Sequence, residues 1–301
     1  MPSANFTVTS VSPANLTSLI EPLPGIPADI LRLDRLHPLL SGNKAFKLEG
    51  HLAAFAASGR QRLLSFGGPW SNHLHALSAA AHLLNIPLTL VVRGYAHLPL
   101  TATLSDCVQL GAELIFVDKQ TYRRRDDPVW QAQLAAEHNA LVVPEGGGGE
   151  PGLMGCQRLA QACAGYDQVW LACGTGTTAL GLAQGLAEML AQKPEQGISQ
   201  LVGVNAVADQ GALAERWQTE MPAAVRWRLL DDAHGGGFGK LSDAHKALIA
   251  RFDAAGLALD PVYTVKLLAA FLKMYPDGDT GGQRILLIHS GGLQGRRGFG
   301  L

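Results

Sequence analysis

Short apolar segments alternate with longer helical ones along most of this chain, and this alternation limits the fold more than any other feature. Seven apolar runs of four to seven residues have the composition of buried strands: 62–66, 87–93, 113–117, 140–143, 167–172, 201–207 and 284–289. Between them, apolar residues recur at the spacing of one helix face, as in KLEGHLAAF and HLHALSAAAHLL. Strands joined by helices form βαβ units and parallel sheets that are covered on both faces. We therefore predict an α/β protein with open, twisted, mainly parallel sheets and helices on both faces.

The size and charge of the chain exclude several classes of protein. With 301 residues, one large or two medium domains are expected. Hydrophobic residues make up 47% and charged residues 16%, which is typical of a globular protein and not of a disordered one. The formal net charge is −1, and the only basic block, 123–125, is followed by two aspartates. We therefore predict no nucleic-acid partner.

The terminal segment, the cysteines and the histidines predict a plain cytoplasmic protein. The first twenty residues have no positively charged start and no long apolar stretch, so they do not resemble a secretory signal. No apolar run approaches the roughly 18 residues of a membrane span, so no membrane partner is expected. His73 and His75 are two residues apart, and such a pair does not face one ligand on a helix, so we predict no metal site. The cysteines show no CxxC spacing and are expected to be buried, reduced thiols: Cys107, Cys156, Cys163 and Cys173.

Four glycine-containing connections lie at the ends of predicted strands or at the starts of predicted helices. Open α/β sheets bind ligands at such places. The first is LACGTGTTALGLA (171–183), in which two glycines and three threonines separate a strand from a helix. Backbone N–H groups at a helix N-terminus make an anion site. The segment lacks the lysine of a nucleotide-binding P-loop and the third glycine of a dinucleotide-binding loop. It suits a small phosphate carried by a cofactor, and a simple glycine turn with threonine caps remains the alternative.

The other three connections are ambiguous when each is considered alone. Ser71 and Asn72 begin a helix, where Ser71 is either an N-cap or, with Asn72, a holder of a carboxylate or phenolate oxygen. Ser290 and the two glycines that follow it suit a tight turn. Lys44 follows Gly-Asn at a helix start, which is unfavourable for a cation, and burial there would lower an amine's pKa and make it a better nucleophile. Lys47, one turn later, is interpreted as a supporting or surface lysine.

Together these connections provide for a phosphate, a hydroxyl on an aromatic ring and a carbonyl that reacts with lysine, which are the features of pyridoxal 5′-phosphate. The ordered motifs GNKxxKL, GGxxSNH, GTGTT, DPVYT and HSGG, from about residue 34 to 292, resemble the second fold type of pyridoxal-phosphate enzymes. The chain is most similar to the D-cysteine desulfhydrase / 1-aminocyclopropane-1-carboxylate deaminase family. It departs from that family in its length, in its incomplete basic-acidic run LRLDRLHP, and in Trp70, where the deaminases have glutamine.

The resemblance implies a role for each matching residue. Lys44 would carry the cofactor covalently, Asn72 would bond the phenolic oxygen of its ring, and Ser71 would receive the substrate carboxylate and relay protons. Tyr263 would lie beside the ring and the substrate, and the glycines after Ser290 would close the far side of the pocket. The phosphate would be held by one continuous segment: Gly174, Thr175, Gly176, Thr177 and Thr178.

Two positions favour one reaction of the family over the other. The deaminases have glutamate after the PVY tyrosine and leucine after the histidine of the last motif, whereas this chain has Thr264 and Ser290, as the desulfhydrases have small hydroxyl residues. A carboxylate at the pyridine nitrogen deepens the electron sink, and a neutral hydroxyl there does not. The milder sink suits removal of an α-proton, by Lys44, followed by loss of a β-substituent and release of pyruvate and ammonia. We predict a lyase of the D-cysteine desulfhydrase type that acts on a small amino acid.

Several alternatives remain open, namely 1-aminocyclopropane-1-carboxylate deamination, serine/threonine dehydratase or cysteine synthase chemistry, and a non-catalytic ligand-binding scaffold. The resemblance also implies a homodimer and two domains, a smaller one over 48–156 and a larger, cofactor-binding one over 1–47 plus 157–301. The glycine-rich segment 142–152 is predicted to cross between the two lobes.

Overall fold

The computed structural model describes residues 16–193, 198 and 200–301. Its strands are β1 (Ile20–Pro22), β2 (Asp29–Arg32), β3 (Arg62–Gly67), β4 (Leu88–Arg93), β5 (Ala112–Val117), β6 (Ala140–Val143), β7 (Gln168–Cys173), β8 (Gln200–Asn205), β9 (Trp227–Leu230) and β10 (Ile285–His289). Its α-helices are α1 (Asn43–Ser58), α2 (Asn72–Leu84), α3 (Ala102–Gln109), α4 (Lys119–Tyr122), α5 (Pro128–Glu137), α6 (Gly149–Gln157), α7 (Thr177–Gln192), α8 (Ala212–Glu220), α9 (Asp243–Ala254) and α10 (Thr264–Met274).

The described residues divide into two compact units. The first contains His37–Gly155 and the C-terminal tail Gln294–Leu301, and the second contains 16–36 and Cys156–Leu293. The predicted domain boundaries, 48–156 against the rest, stay a prediction, and these units differ from them at both ends. The first unit takes in the whole of α1, since a helix packs as one element, and it also takes in the C-terminal tail.

The first unit is built on a four-stranded, fully parallel sheet. The strand order is β5–β4–β3–β6, and the register pairs Leu63 with Leu88 and with Leu141. Strands of this kind are buried on both faces, which explains the unbroken apolar run of β4. On one side Phe66 packs its ring against Trp130 of α5 at 5.5 Å between centroids. The carboxyl end of β3 leads through a short loop into α2, so the Ser-Asn motif lies at the edge where parallel sheets bind ligands.

The second unit contains a six-stranded sheet in the order β1–β2–β10–β7–β8–β9. All neighbouring strands are parallel except β1 and β2. Trp170 of β7 is fully buried and meets Phe271 of α10 edge-on at 5.3 Å between centroids. This core holds β7 and β10 side by side, so the connections that follow them emerge at one edge of the sheet.

The predicted α/β class with mainly parallel sheets is confirmed, and all seven predicted strands are present to within two residues at each end. Three strands were not predicted, and each has only three or four residues: β1, β2 and β9. Runs this short show no period of their own, and β2 is a strand because it pairs with β10. The four cysteines are buried and free, as predicted. Within the described ranges no helix is long and apolar enough to cross a membrane, and no three His, Cys, Asp or Glu side chains are grouped to hold a metal ion.

Two glycines bring α1 and α6 into backbone contact close to Lys44. A Cβ on Gly155 would lie 1.9 Å from the carbonyl oxygen of Phe46, and one on Gly50 would lie 2.4 Å from that of Pro151. A side chain at either position would therefore push the two helices apart.

Gly155→Ala is expected to lower the free energy of unfolding by about 3 kcal/mol, because the added methyl group meets backbone that has no rotamer to escape into. Urea unfolding followed by circular dichroism measures the change. Gly94→Ala is the matched control, since its Cβ would lie 3.5 Å from the nearest atom of Phe116, an ordinary contact. Equal stability of the two variants would contradict the close packing of α1 on α6.

Candidate active site

Lys44 lies in the first turn of α1, at an N-terminus that no side chain caps. Gly42 is the N-cap residue, and its φ of 77° is in the left-handed region that glycine adopts without strain. The Lys44 side chain is half-buried, and its Nζ lies 3.5 Å from Asn43 Oδ1. No acidic residue occupies this turn. The amine therefore lies at the positive end of the helix, which is unfavourable for a structural cation and suited to a reactive amine.

Lys47 is buried, so its interpretation as a surface lysine is wrong and the supporting role remains. Only 3% of the residue is exposed, and Nζ donates to Gly146 O at 3.4 Å. His51, one turn further along α1, donates from Nε2 to Gly148 O at 3.0 Å. Gly147, between these two acceptors, has a φ of 68° and comes within contact of the Lys47 side chain.

The glycine-rich segment 142–152 is thus held on α1 by two buried side chains. It lies inside the first unit, and the division between the units falls after Gly155. The sequence suggested that these glycines let the chain cross between two lobes. In the structure they allow the backbone of the segment to lie close to α1. We find no signal in the sequence that would have paired Lys47 with a carbonyl 99 residues away.

Ser71 and Asn72 lie at the N-terminus of α2. Ser71 Oγ accepts from the backbone N–H of Leu74 at 3.2 Å, so Ser71 is the N-cap. This leaves the O–H of Ser71 able to donate to a ligand, because a hydroxyl that accepts one bond keeps its own proton. Asn72 Oδ1 accepts from Gln294 Nε2 at 3.0 Å. The amide therefore offers its Nδ2 donor to a ligand oxygen.

His73 is a buried neutral histidine to which the sequence assigned no role. Ser65 Oγ donates to Val143 O at 2.7 Å, so it must accept from His73 Nε2 at 2.8 Å. The proton is thus on Nε2, and Nδ1 is buried with no hydrogen-bond partner among the described residues. Burial, followed by the charges of Lys44 and Lys47, holds the pKa of His73 well below its usual value. The two lysines therefore have a neutral imidazole as their neighbour.

The GTGTT segment forms the N-terminus of α7 in the second unit. β7 ends at Cys173, and Gly176 is the N-cap residue with a φ of 83°. No side chain caps α7 and no acidic residue lies in its first turn, so its first N–H groups and its positive end suit an anion. The hydroxyl oxygens of Thr175 and Thr177 lie 3.2 Å apart beside it.

Bulky side chains support this segment from within the second unit. A Cβ on Gly176 would lie 2.6 Å from Leu213, and one on Gly174 would lie 3.2 Å from the ring of Tyr263. Arg216 Nη1 donates to Thr175 O at 2.7 Å. These supporting residues come from α8 and from the start of α10, and the sequence reasoning missed all of them except Tyr263.

The DPVYT motif is organised by a carboxylate that the sequence analysis did not single out. Asp260 is fully buried, and its two oxygens accept from the backbone N–H groups of Val262, Tyr263 and Thr264 at 2.7 to 3.0 Å. Three such bonds occupy the carboxylate as a cap for the start of α10. Thr264 is also fully buried, and its Oγ1 has no hydrogen-bond partner among the described residues.

Ser290 follows β10 at the same edge of the sheet as Gly174. β10 and β7 are parallel, and Ile288 pairs with Leu171, so the two connections leave the sheet side by side. Ser290 is half-buried. His289 before it is fully buried, donates from Nε2 to Ala258 O at 2.9 Å and accepts from Gly291 N–H at Nδ1. His289 thus fixes the conformation of the turn, and Ser290 is the residue of the turn that remains a candidate for binding a ligand.

The incomplete basic-acidic run near residue 34 is a buried ion pair. Arg32 is 4% exposed and donates from Nε and Nη2 to the two oxygens of Asp34 at 2.9 and 2.7 Å. Although burial opposes the shift, the hydrogen bonds from Arg32 hold the pKa of Asp34 below its usual value. The pair belongs to the second unit and is structural.

Lys266 clamps a glycine-rich loop of the second unit. It is fully buried, and Nζ donates to Ala206 O and to Gly237 O, each at 2.7 Å. The loop carries Phe238, whose ring meets that of Tyr263 edge-on at 6.4 Å between centroids. Burial lowers the pKa of Lys266 to about 8, although Asp260 opposes the shift.

This shift predicts a pH dependence of stability that Lys266→Met removes. An unfolded lysine has a pKa of 10.5, so the unfolded chain binds more protons between pH 8 and 10.5, and the contribution of Lys266 to stability rises with pH across that window. From about pH 7.5 to about pH 10.5 the wild type should gain up to about 3 kcal/mol relative to Lys266→Met, measured by urea unfolding at each pH. Lys246 lies at an exposed position of α9, so the wild type should gain no stability relative to Lys246→Met over the same pH range. Parallel curves for wild type and Lys266→Met would contradict the shift.

The candidate residues thus form two sets, one in each unit. Lys44, Ser71 and Asn72 belong to the first, and the threonine-rich segment, Tyr263, Thr264 and Ser290 belong to the second. The first set provides an amine, a hydroxyl and an amide, and the second provides an anion site with hydroxyls and an aromatic ring. A model of the family described as pyridoxal-phosphate dependent enzyme matches residues 17–291. The chain belongs to this family.

Individual relatives of this pyridoxal-phosphate dependent enzyme cover nearly its full length. A protein of Pyrococcus horikoshii named "Putative 1-aminocyclopropane-1-carboxylate deaminase" is 26% identical over 306 residues, which is 93% of this chain and 91% of that protein. A protein of Thermotoga maritima with the same name is 26% identical over 276 residues and 85% of each chain. A crystal structure described as an ACC deaminase homologue has a TM-score of 0.73 and 25% identity, and covers 92% of this chain and 87% of that one. These matches confirm the predicted family, the fold type, the cofactor and the prediction that the chain is a pyridoxal-phosphate dependent enzyme.

The residues of the chain fit this cofactor. The uncapped N-terminus of α7, with a left-handed glycine and no acidic residue, suits a phosphate dianion. The side-chain amine of Lys44, at the start of α1, suits covalent attachment of an aldehyde. The Nδ2 donor of Asn72 suits a phenolate oxygen.

Proposed function

We propose that this enzyme catalyses β-elimination from a small amino acid, D-cysteine being the best candidate, to give pyruvate, ammonia and hydrogen sulfide with consumption of one water. One observation carries the choice of reaction. The carboxylate that precedes Tyr263 and Thr264 in their motif, Asp260, is occupied by three backbone N–H groups. Thr264 and Ser290 then offer only neutral hydroxyls to the pyridine nitrogen of the cofactor, which favours the milder electron sink that β-elimination needs.

Each unit supplies a different part of the proposed chemistry. When bound, the cofactor supplies an electron sink for the bond that breaks at the α-carbon. Lys44 would hold the cofactor covalently, and its amine would also remove the α-proton of the substrate. Ser71 donates its O–H to the substrate carboxylate, and Asn72 donates from Nδ2 to the phenolic oxygen. The segment Gly174, Thr175, Gly176, Thr177 and Thr178 binds the phosphate.

Tyr263, Thr264 and Ser290 are the further candidate residues of the second unit. The Tyr263 ring is fixed against Gly174, so it is placed next to the phosphate segment. Ser290 is half-buried, whereas Thr264 has a fully buried side chain. We therefore assign the hydrogen bond with the ring nitrogen to Ser290 and a supporting role within the second unit to Thr264.

A second candidate is deamination of 1-aminocyclopropane-1-carboxylate to 2-oxobutanoate and ammonia. The names of the Pyrococcus and Thermotoga relatives favour it. Dehydration of serine or threonine and a non-catalytic ligand-binding role are the remaining alternatives. A homodimer, which the family resemblance implies, stays a prediction that sedimentation velocity tests.

The experiment is a substrate comparison with the purified, cofactor-loaded protein. D-cysteine, L-cysteine, D-serine, L-serine and 1-aminocyclopropane-1-carboxylate are each incubated with it, and 2-oxo acids are identified by mass spectrometry while sulfide is assayed separately. Pyruvate with an equal amount of sulfide from D-cysteine supports the proposal, provided that free pyridoxal phosphate alone releases neither. Formation of 2-oxobutanoate as the fastest reaction overturns it in favour of the deaminase, and pyruvate from serine alone favours the dehydratase. The absence of any product overturns the proposed reaction and the deaminase and dehydratase alternatives together.

A further inference from the structure

Asn72 is held by a residue that no part of the family motif contains. Gln294 Nε2 donates to Asn72 Oδ1 at 3.0 Å, although the two residues are 222 positions apart in the chain. Both residues are half-buried and belong to the first unit. The bond therefore has partial shelter from water, which makes it a better constraint than a fully exposed side-chain pair.

This hydrogen bond decides which end of the Asn72 amide is offered to a ligand. The oxygen and the nitrogen of an asparagine amide have nearly the same shape, so packing alone does not distinguish them, and a half-turn of the terminal torsion exchanges them. In the structure Gln294 presents its Nε2 donor to Asn72, and Oδ1 is the amide atom that accepts it. The bond thus directs Nδ2 away from Gln294. A phenolate oxygen needs that donor, and it would be repelled by Oδ1.

The C-terminal tail is anchored so that Gln294 stays in place. Arg297 donates to both carboxylate oxygens of Asp106 in α3, one of them at 3.2 Å. Bidentate pairs of this kind fix geometry as well as charge. On the other side, Gly298 packs directly on the indole of Trp70, because a Cβ there would lie 3.1 Å from the ring. The tail therefore contacts both Trp70 and Asn72, the two neighbours of Ser71 in the chain.

A glycine next to Gln294 makes the close approach to Asn72 possible. A Cβ on Gly295 would lie 3.3 Å from Asn72 Oδ1, which is tighter than an ordinary contact. Gln294 and Gly295 thus both lie beside Asn72 Oδ1. Gln294 donates a hydrogen bond to this oxygen, and Gly295 has no side chain that would crowd it. Both features act on the Asn72 amide.

We infer that Gln294 is a positioning residue, which orients the Asn72 amide so that Nδ2 faces the cofactor, and that the C-terminal tail exists in this fold to carry it there. The inference rests on the proposed role of Asn72. It assigns a function to the tail residues 294–298, which lie beyond the last family motif.

The test uses Gln294→Met, which keeps the length of the side chain and removes the donor, and Gln294→Glu, which keeps its polarity and replaces the donor by an acceptor. The cofactor is removed, and the dissociation constant for pyridoxal phosphate is measured by fluorescence titration of each apo protein. The absorbance maximum of the bound cofactor and its pH titration are recorded as a second readout. Gln131→Met is the control, because Gln131 donates to Arg125 O at 2.6 Å elsewhere in the first unit.

Both Gln294 variants should bind the cofactor about fivefold to thirtyfold more weakly than wild type, and the pH titration of the visible band should shift, while Gln131→Met should match wild type. The decisive comparison is with Asn72→Ala. If Gln294 acts through Asn72, then Gln294→Met adds no further loss in the Asn72→Ala background.

Each outcome decides between the inference and the proposed function. If Asn72→Ala binds and absorbs like wild type, the proposed role of Asn72 fails, and the inference fails with it. If Asn72→Ala is weakened but both Gln294 variants match wild type, the positioning role alone is overturned. Independent, additive losses would also overturn it, because they would show that Gln294 acts elsewhere. Urea unfolding of each variant excludes a general loss of fold, and if Gln294→Met is unstable, Gln294→Glu carries the comparison.

Discussion

Lys44→Ala is expected to lower the turnover number by at least about a thousandfold, the largest effect of any single substitution in this chain. Lys44 has two proposed tasks, covalent attachment of the cofactor and removal of the α-proton, and general base catalysis alone contributes about a hundredfold to ten-thousandfold. The phosphate segment lies in the other unit, so the variant should still bind pyridoxal phosphate non-covalently. Initial rates with the best substrate, together with a binding titration, measure both effects.

The attachment site is identified by reduction with borohydride and peptide mass mapping. In the wild type the reduced label should lie on the peptide that contains Lys44, and in Lys44→Ala no lysine should carry it. Lys246→Ala is the control, since Lys246 lies at an exposed position of α9, where it pairs with Asp243, and it should retain wild-type turnover. Label on Lys47 or Lys266, or near wild-type turnover of Lys44→Ala, would contradict the assignment.

The environment of Lys44 explains why this lysine and not its neighbour is the proposed nucleophile. Lys47 is committed to Gly146 O and is almost fully buried, whereas Lys44 is half-buried at an uncapped helix end. His73 next to both is neutral, so it does not add a third positive charge to the group. These differences arise although the two lysines are only three residues apart.

The double variant Thr175→Val/Thr177→Val is expected to weaken binding of pyridoxal phosphate by at least about tenfold. The two hydroxyls lie 3.2 Å apart beside the uncapped start of α7, and a hydrogen bond to a charged group contributes roughly 1.5–3 kcal/mol. Valine keeps the shape of threonine, so the backbone N–H groups of the segment should remain and binding should weaken without being lost. Titration of the apo protein gives the dissociation constant.

The control for the threonine prediction is Thr219→Val. Thr219 lies in α8, where its hydroxyl donates to the carbonyls of Glu215 and Arg216 in its own helix. The same chemical change there should leave cofactor affinity unchanged. Inorganic phosphate should compete with the cofactor in the wild type and more weakly in the double variant. Unchanged affinity of the double variant would show that the hydroxyls do not contact the phosphate.

Local patterns of the sequence predicted the large elements correctly, and the ligand segments stay predictions. The strands of both sheets were recognisable because a parallel strand is buried on both faces and therefore reads as a continuous apolar run. The glycine of the GTGTT segment was recognisable as a turn residue, and in the structure Gly176 has a positive φ at the start of α7. The short strands β1, β2 and β9 were missed, since three or four residues carry no period and form strands only through their neighbours.

Contacts between residues far apart in the chain were not predictable in the same way. Buried charged side chains are rare because desolvation is costly, so Lys47 was interpreted as a supporting or surface lysine and Lys266 was not singled out. Each is stabilised by carbonyl groups whose positions depend on the packing of other elements. Asp260 likewise looked like an ordinary residue of a motif, and only the conformation of the loop shows that three N–H groups occupy its carboxylate.

The sequence by itself determined the α/β class, the family and the set of candidate residues, because apolar periodicity and short motifs are properties of neighbouring residues. Only the tertiary structure decided how those residues are supported: which lysine is committed to a carbonyl, and which side chain fixes the amide of Asn72. Gln294 shows the reason most clearly. A hydrogen bond between residues 222 positions apart depends on where the whole chain places its end, and no local pattern contains that information.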